Sequence, residues 1–389
     1  MYNFDEIIDR RNTDSLKYDF AEERGLPKDV LPLWVADMDI RAPKEVNDAV
    51  KAVGELGIYG YTDTKDDYYE AVQNWFSERY NWKPEKEWFV KTPGIVFAVA
   101  TAVRAFTEKG DAVLIQPPVY YPFSITVESN DRKLVTNPLI YKDGEYSIDF
   151  EDFEKKIKEE DVKMFIFCNP HNPVGRVWDR EDIERLGKIC LDNNVLFVSD
   201  EIHCDLVYEG KKHTTFASVN DEFKNNCVVC TAPSKTFNLA GLQVSNIFIP
   251  NEDLREKFKK EMNSGGTSTL NCAGIAAAKA AYQHGHTWLK ELKEYLRDNI
   301  RFVDSFLKEN LPEVKLVEPE GTYLIWLDFS GTGLTDEEIE NKIIHEAKLW
   351  LDGGSMFGVE GEKFQRINIA CPRRTVEEAM NRIKDAFSK

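Results

Sequence analysis

The stretch Met164-Phe-Ile-Phe-Cys-Asn-Pro-His-Asn-Pro-Val-Gly175 decides the fold. It opens on an unbroken apolar run and closes in a loop stiffened by two prolines. A strand buried on both faces has no polar side to alternate with, so it reads as continuous Val, Ile and Phe. The same grammar repeats outward from this stretch. Ala112–Gln116 leads into Pro117-Pro-Val-Tyr-Tyr-Pro122, Val195–Ser199 into Asp200-Glu-Ile-His203, and Cys227–Thr231 into Ala232-Pro-Ser-Lys235. A helical pattern over Arg180–Asn193 separates two of these runs. Strands and helices in alternation predict an α/β protein with a mostly parallel sheet between helices. In such sheets ligands sit beyond the carboxyl ends of the strands, so each of these loops is a candidate for chemistry.

From about Trp288 the texture changes. A long charged helix over Leu289–Asn310 precedes strand runs at Val314–Val317, Thr322–Asp328 and Gln365–Ala370. One helix is expected over Thr335–Lys348 and another at the end of the chain. This predicts a smaller α+β domain. The first forty-odd residues hold little core of their own and are expected to pack on it. The expected division is a large domain over 48–287 and a small one built from 1–47 and 288–389.

Composition narrows the function. The 389 residues are 42% hydrophobic, enough for a packed interior, and carry a formal charge of −18. Such a surface repels nucleic acid and anionic membranes, so any anionic ligand must be held by local donors. The charged amino terminus has no signal-peptide core, and no apolar run is long enough for a membrane helix. Seven scattered cysteines do not form a secreted disulfide framework. The expectation is a cytoplasmic protein. Cys227-Val-Val-Cys230 has metal-like spacing, but positions three apart on a strand face opposite ways, so both are expected to be structural. His284-Gly-His286 reads as a surface turn, and no metal site is expected.

Five groups carry the candidate chemistry. Lys235 follows a strand in Ser234-Lys-Thr-Phe-Asn-Leu-Ala-Gly241. Most lysines in loops are merely solvated, but an amine partly desolvated at a strand end suits Schiff-base chemistry. Asp200 ends another strand, where it is either a loop cap or a carboxylate that holds a proton on an aromatic ring nitrogen. Asn172, fixed between prolines, can donate to a phenolic oxygen. Thr92-Pro-Gly94-Ile-Val96 opens an apolar helix reaching Phe106, whose free amides offer a phosphate cradle with Gly94 allowing close approach. Neither a Walker loop nor a G-x-G-x-x-G is present. Arg366, on a late strand, is either a surface ion-pair partner or a fork for a carboxylate.

Together these pieces resemble the fold-type-I pyridoxal-phosphate (PLP) enzymes of the aspartate aminotransferase superfamily, class I/II. Within it they are most similar to the cystathionine β-lyase-like C–S lyases. The carrying motifs are N-P-H-N-P-V-G-R-V-W, S-D-E-I-H-C-D and A-P-S-K-T-F-N-L-A-G-L-Q, supported by Leu33-Trp-Val-Ala-Asp-Met-Asp39, Gly57-Ile-Tyr-Gly-Tyr-Thr62 and Cys371-Pro-Arg373. The resemblance implies a seven-stranded sheet and a homodimer with shared active sites. It implies that Lys235 joins the cofactor aldehyde and then carries protons, that Asp200 pairs with the ring nitrogen, and that Asn172 meets the phenolic oxygen. Tyr120 would stack on the ring, with Ile95, Val96 and Ser234 at the phosphate. Tyr61 would reach a neighbouring subunit's phosphate. Arg366 would grip the substrate α-carboxylate, with Arg373 as a second candidate, Tyr121 as a helper acid and Trp34 near the distal group.

Three positions depart from the transaminase pattern. His203 stands where many transaminases have a tyrosine at the phenolic oxygen, and Gln243 where many have a phosphate-binding arginine. Ala232 likewise replaces a frequent phosphate-binding serine. These forms resemble the lyase branch. The implied reaction is β-elimination from cystathionine or a related cysteine conjugate, giving pyruvate, ammonia and a thiol. The alternatives are an aminotransferase and a non-catalytic regulator on the same fold.

Overall fold

The computed structural model describes residues 2–266 and 269–388. Its largest sheet contains β1 (Phe89–Thr92), β2 (Ala112–Ile115), β3 (Lys133–Thr136), β4 (Val162–Cys168), β5 (Leu196–Asp200), β6 (Cys227–Thr231) and β7 (Ser245–Phe248). Across the sheet the order is β1-β7-β6-β5-β4-β2-β3, and only β7 runs antiparallel to its neighbours. The mostly parallel seven-stranded sheet is as expected.

Alternation along the strands sorts side chains to two faces. Phe165, Phe167, Phe197 and Val229 join one apolar cluster, with Trp75, Phe153, Ile183 and Leu186 from the covering helices. Met164, Ile166, Val198 and Val228 join the other, under Ala98, Val99, Ala102 and Val103 of the helix Ile95–Phe106. Each such aromatic or aliphatic side chain withdrawn from water contributes about 1.5–3 kcal/mol. Cys227 and Cys230 fall in opposite clusters and are both buried, the structural role expected of them. His284 and His286 are exposed at the junction of the helices Cys272–His284 and His286–Asn310. Gly285 between them has no substitute, since a Cβ there would lie 2.2 Å from a Phe237 ring carbon.

Register sets the site. Cys168 pairs with Asp200, and Asp200 with Cys230, so β4, β5 and β6 end level and release their loops at one edge. A second, antiparallel sheet consists of β8 (Lys315–Val317), β9 (Leu324–Asp328), β10 (Asp352–Gly353) and β11 (Phe364–Asn368), in the order β8-β9-β11-β10. The segment Leu31–Pro32 pairs in parallel with Leu349–Trp350 beside it. It then runs on to the large sheet, where Asn238 Nδ2 donates to Met38 O and Ile40 O at 2.9 and 3.0 Å. The amino-terminal segment therefore touches the loops of both sheets.

The single helix expected over 335–348 is corrected. It is α-helical only over Asp336–Asn341, started by a Thr335–Glu338 capping box, and then widens to a π turn over Lys342–Glu346. The Ala347 amide reaches back to the Lys342 carbonyl at 2.8 Å, which keeps Ile343 and Ala347 buried before the chain extends. Among the described residues no helix is long and apolar enough to cross a membrane, and no side-chain cluster has the make-up of a metal site.

Candidate active site

The loops after β4, β5 and β6 meet the start of the helix Ile95–Phe106 around a cavity of about 310 Å³. Gly94, Ile95, Val96, Tyr120, Asn172, Asp200, His203, Ser234 and Lys235 all line it. Sequence reasoning singled out each of these, and the structure brings them together.

Lys235 lies in the short turn Pro233–Thr236 directly after β6. Its Nζ donates to the Ala36 carbonyl at 2.7 Å, and the Tyr323 hydroxyl donates to the same oxygen at 2.9 Å. Burial pulls the amine down to about 8, with Arg366 adding to the effect and Asp37 and Asp200 opposing it. A lysine so placed supplies far more neutral amine near physiological pH than a solvated lysine does. Its neighbour Thr236 donates to Asp205 at 2.8 Å, and Asp205 also accepts from Trp75 at 3.0 Å and Arg79 at 2.9 Å. The loop is thus held from behind.

Asp200 is 3% exposed at the end of β5. Burial raises its carboxyl to about 7, against the Ile202 amide that donates to it at 3.1 Å. One backbone donor is little support for a buried carboxylate, so Asp200 is suited to a cationic partner in the cavity. His203 is equally buried and is held neutral, at about 3, by desolvation first and then by Lys235 and Arg366; its Nδ1 has no partner. Glu201 faces away from this chemistry. It accepts from Ser199 at 2.9 Å, the Phe216 amide at 2.8 Å and His213 at 2.8 Å, and so fixes the loop. His171, depressed to about 4 by burial, bonds the Pro118 carbonyl at 3.0 Å and ties two of the loops together.

The helix at the far wall starts with Gly94 and no side-chain cap. A Cβ on Gly94 would meet no protein atom within 4 Å, so the space it would enter belongs to the cavity. The uncapped amides face an opening where an anion fits.

Arg366 is 3% exposed on β11. Its Nη1 donates to Asn172 Oδ1 at 2.9 Å and its Nη2 to the Trp34 carbonyl at 2.8 Å, while Nε has no partner. Asp352, directly across the sheet on β10, forms a buried ion pair with it. The guanidinium lies 4.9 Å over the Phe357 ring, against whose edge half-buried Tyr121 packs at 5.8 Å. The Asn172 oxygen is thus engaged, and its amide remains as a donor.

Three candidates stand elsewhere. Arg373 opens the final helix, donates to Asn299 at 2.7 Å and lies over Phe302, so it is not brought to the cavity. The second candidate for the carboxylate begins a helix and does not sit on a buried strand. Tyr61 is wholly exposed at 101% and touches no part of the cavity of its own chain. The Trp34 ring stacks on Trp350 at 4.4 Å, and it is the backbone carbonyl of Trp34 that meets Arg366. Sequence reasoning missed Ala36, Tyr323 and Asp352. A carbonyl has no side-chain signature, and Asp352 becomes visible only through strand register.

A seven-stranded α/β sheet with a desolvated lysine and a buried aspartate at adjacent strand ends defines a class of cofactor-dependent enzyme. The chain belongs to the aminotransferase class I and II family, whose model matches residues 29–383. It is similar to cystathionine beta-lyase PatB of Bacillus subtilis, 46% identical over 386 residues that cover 99% of this chain and 100% of that one. The solved structure of cystalysin from Treponema denticola, which contains a pyridoxal 5'-phosphate cofactor, superposes with a TM-score of 0.96 at 37% identity, covering 100% of this chain and 99% of that one. The PLP-bound C–S lyase from Staphylococcus hominis does so at 0.93 and 36%, with 100% and 99% covered.

Proposed function

We propose that this protein is a PLP-dependent carbon–sulfur lyase that cleaves L-cystathionine or a related cysteine conjugate to pyruvate, ammonia and a thiol. The observation that carries the reading is the pairing of a buried Lys235, its amine pulled well down, with a buried, under-supported Asp200 on one cavity. The residues fit the cofactor. Lys235 offers a nucleophilic amine, Asp200 a carboxylate for a ring N–H⁺, Asn172 an amide for the phenolic oxygen, and the start of the helix at Gly94 a phosphate seat with Ser234 beside it. Tyr120 lines the same space as a ring platform. When bound, the cofactor supplies an electron-withdrawing ring that accepts the pair left at the substrate α-carbon.

The chain's own residues do the rest. Arg366 takes the substrate α-carboxylate through the Nη1 hydrogen not given to Asn172, while Asp352 and the Trp34 carbonyl fix the guanidinium. Lys235, as a free neutral amine, would remove the α-proton. The Cβ–S bond then breaks with its electron pair on sulfur, and the thiolate takes a proton from Lys235 or from Tyr121. The remaining three-carbon fragment takes up water to give pyruvate and ammonia. With the cofactor bound, Asp200 would stay ionised, its negative charge matched by a ring N–H⁺.

The proposed division of labour assigns the cofactor to the 48–287 domain and the carboxylate-binding arginine to the 1–47 and 288–389 domain. The assembly is a homodimer. Leu56, Ile58, Tyr59 and Tyr61 are 69%, 71%, 70% and 101% exposed in one short segment, more apolar surface than a free chain normally presents. In the dimer Tyr61 would reach the partner's phosphate seat. The test is to supply the holoprotein with L-cystathionine and no keto acid. Continuous release of pyruvate and thiol supports the lyase; a stall after one turnover points to a transaminase.

A further inference from the structure

Among the described residues, no acidic side chain lies within ion-pair distance of Arg24. It sits in the turn Glu22–Arg24, is exposed, and makes no ion pair or side-chain hydrogen bond among the described residues. Of its acidic neighbours, Glu22 lies 3.8 Å from Lys28. In a chain of net charge −18, a guanidinium left unpaired beside two glutamates needs a reason.

Its location is well fixed. The guanidinium carbon lies 4.8 Å from the Trp34 ring centre and 5.6 Å from that of Trp350. These two indoles stack at 4.4 Å and 11°, and they form a separate apolar cluster with Ala21 and Val30. Ala21 immediately precedes the turn, so the platform and the group resting on it share one anchor. The platform also borders the site. The Trp34 carbonyl accepts from Arg366, and Trp350 stands two residues before Asp352. The field of Arg24 is felt at Tyr121 and at Asp352. A stacked arginine keeps its outward N–H groups free for a planar anion.

We propose that Arg24, presented on the Trp34–Trp350 platform, binds the carboxylate at the far end of the substrate's sulfur-linked group. It would select thioether amino acids that carry a second carboxylate over those ending in an alkyl group. This rests on the lyase reading above and names the substrate class within it.

Arg24 is a binding residue in this scheme and moves no proton, so its effect falls on KM. The experiment compares kcat/KM of the holoenzyme for L-cystathionine and for S-ethyl-L-cysteine, in wild type, Arg24→Met and Arg24→Lys. The expected result is that Arg24→Met lowers the cystathionine-to-ethylcysteine ratio about tenfold, through KM, and that Arg24→Lys keeps most of it. In wild type, raising salt from about 0.01 M to about 1 M lowers the same ratio, because an exposed pair is screened. This salt arm decides the matter even if the Met variant folds poorly. A ratio unchanged by substitution or salt, in an enzyme that processes both substrates, overturns the role of Arg24 alone. Absence of pyruvate from both substrates in wild type overturns the lyase reading and this proposal with it.

Discussion

Replacing Asp200 by asparagine separates the two sides of the site's electrostatics. The carboxyl of Asp200 moves from its ordinary 3.8 to about 7 on folding, chiefly through burial. At about 1.4 kcal/mol per pH unit that gap amounts to about 4 kcal/mol. Between pH 3.8 and 7 the folded apoprotein holds a proton that the unfolded chain has lost, so stability falls as pH rises through that window. The asparagine side chain does not titrate and still accepts from the Ile202 amide. Apo Asp200→Asn should therefore match wild type below about pH 3.5 and exceed it by a few kcal/mol at about pH 8. Loading the cofactor should reverse the ranking, since only the aspartate gains a cationic ring partner, and turnover of the variant should drop by at least about a hundredfold. Denaturant titrations of apo and loaded forms at several pH values, with a pyruvate assay, read out all three effects. A variant no more stable than wild type in the apo form, on the alkaline side of the window, would refute the argument from burial.

Other outcomes follow from the same geometry. Lys235→Ala should lose nearly all turnover and the absorbance of the bound cofactor, seen by spectrophotometry and the pyruvate assay. Tyr121→Phe should be merely impaired, about tenfold in kcat, because Lys235 can also protonate the departing sulfur. Capture of pyridoxal phosphate by the apoprotein should accelerate as pH rises through about 8, where burial leaves the Lys235 amine half neutral; stopped-flow absorbance measures it. Asp352→Ala, which strands a buried guanidinium, should destabilise the fold by about 3 kcal/mol in denaturant unfolding.

The centre of the fold was legible because β4, β5 and β6 are buried on both faces and so contain almost nothing polar. The edge strands were harder. Lys133–Thr136 is half polar on an outer position, and Ser245–Phe248 begins with two polar residues, of which Asn246 is bonded by Tyr68 and Tyr282 from the covering helices. The widened turn at Lys342–Glu346 left no mark either, since its apolar spacing is compatible with an ordinary helix. At the site, Lys235, Asp200 and Asn172 were found because each stands at or just after a strand end. What sequence could not supply was depth and pairing. Asp352 faces Arg366 through β-sheet register, Lys235 leans on a carbonyl about two hundred residues away in the chain, and Arg373 turns to Asn299.

The central claim is that one amine, that of Lys235, holds the cofactor. Treating the yellow holoprotein with borohydride, digesting it and mapping the peptides by mass spectrometry tests this directly. The account predicts a phosphopyridoxyl mass on the peptide containing Lys235 and on no other. Label on a different lysine, or a protein that binds pyridoxal phosphate without becoming labelled, would contradict it.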